Sequence, residues 1–168
     1  MENFGYAVLV VSLLLVLVLS FNVKYVRKDH VLIVEKFGTF NRLIHKRGFC
    51  FLIPFVERSY KQVSLLQTFH EIFLHISKNK DNEIFFFRAS FDYKIVVPQD
   101  FVYSSLTPLT TFNLDVLNAF EELIGEKVKF PIADDQLEQI KETIFAKATA
   151  IGLELANFEF KHDNNILK

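Results

Sequence analysis

The sequence predicts an α+β protein: an N-terminal transmembrane helix followed by a domain of mostly antiparallel sheet with packed helices. Three observations predict it. Residues 4–21 form one apolar run without a charged side chain. Several β-rich stretches follow between 31 and 97, the last with a clean period of two. Beyond Pro98 the apolar period becomes helical, and it turns β-like again at Leu153. Strands, then helices, then a strand is the order of an α+β layer fold.

The run Phe4–Phe21 has 18 residues, which at about 1.5 Å each span roughly 27 Å, close to the ~30 Å hydrocarbon core of a bilayer. It is rich in Leu and Val, lacks Pro, and is interrupted only by Gly5, Ser12 and Ser20. The residues expected inside the bilayer include Phe4, Val10, Leu14, Leu17 and Phe21. A cleaved signal peptide fits less well. The stretch before the run, Met1, Glu2 and Asn3, has no cation, and the exit around Ser20 is a poor small-x-small site. Lys24, Arg27 and Lys28 follow at once. These cations are the expected head-group contacts, and the positive-inside rule places residues 23–168 in the cytoplasm.

The roughly 145 residues after the run suit one compact domain with a real core. Residues 31–37 read as a strand ending in a turn at Gly38, and 41–46 as a polar connection. Gly48 opens an apolar stretch to Phe55 in which Pro54 prevents a central strand. Residues 60–65 and 69–77 read as strands, and 78–82 as a polar hairpin turn. In the next strand Phe85, Phe87, Ala89, Phe91, Tyr93, Ile95 and Val97 share one face, and Arg88, Ser90, Asp92 and Lys94 the other. Pro98 ends it. Thr107 and Pro108 supply a helix N-cap candidate and a Pro at the first helical position. Phe112, Val116, Leu117, Phe120, Leu123 and Ile124 follow at helical spacing, and Gly125 closes the helix. A second helix starts at Asp134–Asp135, where Asp135 and Glu138 have capping-box spacing, and carries Leu137, Ile140, Ile144, Ala148 and Ile151 to Gly152. Residues 153–161 read as the last strand.

Net charge is −1, so no global case for nucleic acid exists, and none is expected as a partner. The charge is uneven: cations dominate between Lys24 and Arg47, acids between Asp115 and Glu142. Cys50 is the single cysteine, so no intrachain disulfide can form, as suits a reducing compartment. It lies between Phe49 and Phe51 and reads as a small buried thiol, with palmitoylation as an alternative. His70 and His75 fall on opposite faces of a strand and make a poor metal pair. His30, His45 and His162 have no ligand spacing, and the 5 glycines are dispersed, so no phosphate loop is present. Neither a cofactor, a metal nor an enzymatic activity is expected.

Three stretches, in order, carry a resemblance. Val31-Leu-Ile-Val-Glu-Lys-Phe-Gly-Thr-Phe40 follows the anchor. Arg47-Gly-Phe-Cys-Phe-Leu-Ile-Pro-Phe-Val-Glu-Arg58 comes next. Lys80, Asp81 and Asn82 then lead into the long alternating strand. With Leu123-Ile-Gly125 and Ile151-Gly-Leu-Glu-Leu155, this order resembles the stomatin–prohibitin–flotillin family, the SPFH or band 7 domain proteins. The likeness divides the chain into an anchor at 1–23, an SPFH domain at 24–162 and a short tail at 163–168. Glu121 departs from the family, which often has Arg there, and Arg47 stands where Pro is usual.

The resemblance implies a membrane scaffold that self-associates laterally. Such scaffolds organise membrane microdomains or regulate membrane proteases, channels or transporters. The implied partners are the lipid bilayer, other SPFH proteins as homo- or hetero-oligomers, and a membrane protein client. It also implies that Phe49, Phe51, Leu52, Ile53 and Phe55 dip into the leaflet, against the simpler reading of core packing. Family members usually continue into a coiled coil, whereas only Asp163 to Lys168 follow here. A short adaptor that binds a client or caps larger SPFH assemblies is therefore the alternative. Some family members place this domain outside the cytoplasm.

Overall fold

The computed structural model describes residues 2–78, 83–124 and 134–162. Its elements are α1 (Glu2–Phe21), β1 (Val23–Val26), β2 (His30–Lys36), β3 (Thr39–Ile44), β4 (Gly48–Phe51), β5 (Glu57–Ser64), β6 (Thr68–Lys78), β7 (Glu83–Ile95), α2 (Pro98–Ser104), α3 (Pro108–Ile124), α4 (Asp134–Ala150) and β8 (Leu153–His162). The fold is α+β with an N-terminal apolar helix and antiparallel pairing in every described sheet. It divides into two compact units, Met1–Leu65 and Leu66–Lys168, where the sequence reading has one domain over 24–162.

In the first unit, β2 is the middle strand of a β3-β2-β5 sheet and is buried from Val31 to Glu35. Leu32 and Val34 form one cluster with Val26 of β1 and Leu52, with Ile44 and Cys50 packed against it. A two-stranded β1-β4 ribbon thus contributes to the core beside β2. The β2–β3 connection is a two-residue turn, with Phe37 at φ 50° and Gly38 at φ 84°. Positive φ at both positions matches the hairpin twist, a geometry that Gly accepts freely and Phe does not.

Two strands differ from the sequence reading. The polar connection at 41–46 is largely β3, an edge strand without a fully buried residue, so its side chains need not be apolar. The basic flank after the anchor contains β1, which pairs with β4 from Val23↔Phe51 to Val26↔Gly48.

In the second unit the sheet order is β6-β7-β8. Phe87, Ala89, Phe91 and Ile95 are buried along one face of β7, as the period of two predicts. Phe112, Val116, Ala119 and Phe120 of α3 and Ile140, Ile144 and Ala148 of α4 are buried at helical spacing. Phe91 meets Phe112 edge-on at 5.8 Å, and Phe160 stacks between Phe87 at 5.0 Å and Phe120 at 4.7 Å. Such aromatic pairs are worth about 0.5–1.5 kcal/mol beyond their area.

A bulge makes this packing possible. Ser90 pairs with Glu159 and Asp92 with Ala156, so two β8 residues oppose one on β7. Asn157 takes φ 51° there, and its Nδ2 donates to Asp92 Oδ2 at 2.8 Å. The extra residue shifts the inward phase. Leu153 and Leu155 point inward before it, and Phe158 and Phe160 reach the core aromatics after it.

β7 ends at Ile95, two residues short of the predicted end at Val97. Val97 is exposed at the N-cap of α2, and Pro98 begins that unpredicted helix, which buries Phe101 and Val102. Gly152 closes α4 at φ +75°, with its carbonyl accepting from the amides of Val96 and Val97 at 2.9 and 3.1 Å. Asp135 lies within α4, so it is not the residue that precedes the helix. Gly125 and the turn at 79–82 lie outside the described residues.

Candidate membrane interface

Helix α1 is exposed on every side: none of Phe4–Phe21 is buried, including Phe4, Val10, Leu14, Leu17 and Phe21. It is long and apolar enough to cross a membrane. Its two serines, and Asn22 just beyond it, turn their polar groups back onto the helix backbone. Ser12 Oγ donates to the Leu9 carbonyl at 2.8 Å and Ser20 Oγ to that of Val16 at 2.8 Å. Asn22 Nδ2 donates to the Val18 carbonyl at 2.7 Å. Internal satisfaction is what a hydrocarbon environment demands of polar groups.

The exit of α1 is tied directly to the second apolar segment. The Leu52 amide donates to the Asn22 carbonyl at 2.9 Å, and β1 begins at the next residue. Across the ribbon, Val23 is opposite Phe51 and Tyr25 opposite Phe49. All four side chains are exposed, and the Tyr25 and Phe49 rings meet at 5.2 Å. The period of two puts them on one face. An aromatic, apolar face therefore continues from the end of the helix. Cys50 is on the opposite side, half-buried against the core, with Sγ 3.4 Å from the Lys24 carbonyl.

Beyond β4, residues 53–56 form a turn organised by Glu57. One carboxylate oxygen accepts from the Ile53 amide at 3.0 Å and from Arg42 Nη2 at 2.9 Å. The other accepts from Asn41 Nδ2 at 2.8 Å. Asn41 is the extra residue of a β2–β3 bulge, which lets two consecutive side chains reach one carboxylate. The Ile53 carbonyl accepts from the amides of Val56 and Glu57 at 3.3 and 2.9 Å. The result is a rigid projection: Ile53 is half-exposed, and Phe55 is 89% exposed at φ 62°. Positive φ is strained for a bulky residue.

Phe37, also at positive φ and exposed, stands beside this turn, its amide donating to the Val56 carbonyl at 3.3 Å. The sequence signals for these features are faint. Phe37 precedes a turn Gly, and Glu57 is one acid among 20 acidic residues.

Of the five residues assigned to the leaflet, Phe49, Phe51, Ile53 and Phe55 are exposed together. Leu52 is not: at 1% exposure it is a core residue beside Val26, Leu32 and Val34. An apolar run on a strand puts alternate residues on opposite sides, so Leu52 leaves the set. Val23 and Tyr25 join the exposed face.

Lys24, Arg27 and Lys28 are exposed, as are Lys46 and Arg47. Lys28 lies 4.0 Å from Asp29, a solvent-exposed pair of little energetic weight. Each well-placed cation is worth about 1 kcal/mol against an anionic surface. Full burial of an aromatic side chain such as Phe49 or Phe55 is worth about 1.5–3 kcal/mol. The apolar residues are therefore the stronger element of this face.

Elsewhere, His70 Nε2 is 3.1 Å from Asn113 Oδ1 and its ring packs on Phe91 and Tyr93. It is a half-buried, core-facing histidine with Nε2 paired to Asn113. No group of His, Cys, Asp and Glu with metal-binding geometry occurs among the described residues. In comparisons with known proteins, no family model matches the chain, and no curated protein matches it.

Proposed function

We propose that the chain is a membrane-anchored, non-enzymatic scaffold of the SPFH type. In this reading α1 spans the bilayer, residues 23–168 lie on the cytoplasmic side, and the protein associates laterally with copies of itself or related chains. It thereby organises a membrane microdomain or restrains a membrane protease, channel or transporter.

One observation carries the reading: a wholly exposed apolar helix runs without a linker into an exposed aromatic face on the ribbon and the 53–55 turn. Two membrane contacts fix an orientation, and confinement to a surface raises the effective concentration for weak lateral contacts. Cross-linking in native membranes tests the assembly. Ladders of self-copies are expected, whereas a monomer both in membranes and in detergent would remove the scaffold. Accessibility of an engineered surface cysteine to an impermeant reagent tests the side of the membrane, with protection in intact cells expected.

A further inference from the structure

We propose that the cleft between β1 and β5 binds the phosphate group of an anionic phospholipid. The inference rests on the reading that α1 spans the membrane and adds a specific lipid site to it. Position is the first argument. Lys24 follows Phe21 by three residues, so its Cα lies within about 11 Å of the helix end. The polar layer on each side of a bilayer is roughly 5–8 Å thick. Lys24, on one wall of the cleft, is therefore within reach of lipid phosphates if α1 spans the bilayer.

Chemistry is the second argument. The cleft has a volume of about 200 Å³. Water occupies roughly 30 Å³ per molecule in the liquid, so a phosphate and part of its ester group fit. Lys24 and Tyr25 line it from β1, and Ser59, Tyr60, Lys61 and Gln62 from β5, over an apolar floor at Leu32. No carboxylate is among its lining residues.

The two lysines are uncommitted. Arg42 is bound to Glu57 and Arg58 to Glu35, but neither Lys24 nor Lys61 forms an ion pair among the described residues. Gln62 Nε2 is buried and lacks a hydrogen-bond partner, a state that native proteins avoid and that a bound acceptor relieves. In the register Gln62 is opposite Leu32 and shares its face, and Lys24 is opposite Cys50, which packs on the same cluster, whereas Lys61 is opposite Ile33 and borders the cleft from its edge. A cation and an unsatisfied amide donor on one side, with no acid, are complementary to a phosphate monoester or diester.

Native mass spectrometry of the full chain, released from detergent with added phosphatidylglycerol, phosphatidylcholine or inorganic phosphate, tests the site. One saturable phosphatidylglycerol adduct is expected, and Lys24→Gln weakens it about fivefold, the value of one well-placed cation. Lys28→Gln removes the same charge outside the cleft and changes it by less than about twofold. Equal effects of the two substitutions would reduce the attraction to diffuse charge and overturn the site. Displacement of the lipid by equimolar inorganic phosphate would assign the cleft to free phosphate and overturn the lipid assignment. Alkaline extraction separates this from the anchoring itself. Release of the chain from membranes defeats the transmembrane reading, while retention with unselective lipid binding defeats the cleft alone.

Discussion

The two units use phenylalanine in opposite ways. In the second, Phe87, Phe91, Phe112 and Phe120 are buried and meet ring to ring. In the first, Phe37, Phe49, Phe51 and Phe55 are exposed, and the core is aliphatic: Val26, Leu32, Val34 and Leu52. Composition alone cannot separate these uses, since the chain has 20 Phe in all. The backbone does. Phe37 and Phe55 sit at positive φ, and Glu57 fixes the turn that holds Phe55 outward. The contrast has exceptions, for Phe69 and Phe73 on β6 are exposed, but Arg88 lies 5.0 Å over the Phe73 ring. Exposure that is enforced by strain and hydrogen bonds differs from exposure left over at a sheet surface.

The largest expected effect is on the buried side of this contrast. Phe91→Ala removes a ring that touches Phe112 and Phe158 and should cost about 3–5 kcal/mol in denaturant unfolding of the detergent-solubilised chain. Phe49→Ala should leave the unfolding free energy unchanged to within about 0.5 kcal/mol. Equal losses would erase the distinction between the units.

Glu57→Ala strands Arg42, Asn41 and the Ile53 amide together and should cost about 2–4 kcal/mol. Hydrogen exchange should rise first at the amides of Ile53, Val56 and Glu57. If exchange there stays slow, the carboxylate does not hold the turn.

Gly152→Ala drives a Cβ into the Val97 carbonyl oxygen in a left-handed conformation. A loss of about 2–3 kcal/mol is expected, confined to the second unit. Phe37→Asn creates the Asn-Gly pair that this turn geometry favours. It should raise stability by about 1 kcal/mol while weakening attachment of the first unit to lipid, read by quenching with a bilayer-restricted probe. A gain in stability together with stronger attachment would contradict the assignment of Phe37 to the interface.

Where one periodicity ruled, the elements were legible. The alternation through β7 and the stripes of α3 and α4 follow from side chains facing a single core. Elements whose residues answer to several demands were not. In β3, Asn41 and Arg42 look like loop residues because their partner is the distant Glu57. In β1, Lys24 reads as a membrane flank while its backbone pairs with Cys50. The phase shift at Asn157 shows in the sequence only as apolar positions moving from Leu153 and Leu155 to Phe158 and Phe160, which a single period of two over 153–161 overlooks. At the interface, the apolar character of residues 49–55 was evident. That Leu52 turns inward with Cys50 required knowing that this run is a strand, paired with β1 and ending in the Leu52–Asn22 bond at the foot of the helix.

That bond has a mechanical meaning. Because Leu52 clasps Asn22 and β1 follows without slack, the helix is a shaft keyed to the ribbon rather than a tether. A membrane-spanning helix answers bilayers of different thickness by tilting. Here a tilt of the shaft turns the aromatic face with it. In the proposed membrane-spanning arrangement, bilayer thickness would thereby set the inclination of that face, and contact of Phe49, Phe51 and Phe55 with the leaflet would gauge the surrounding membrane.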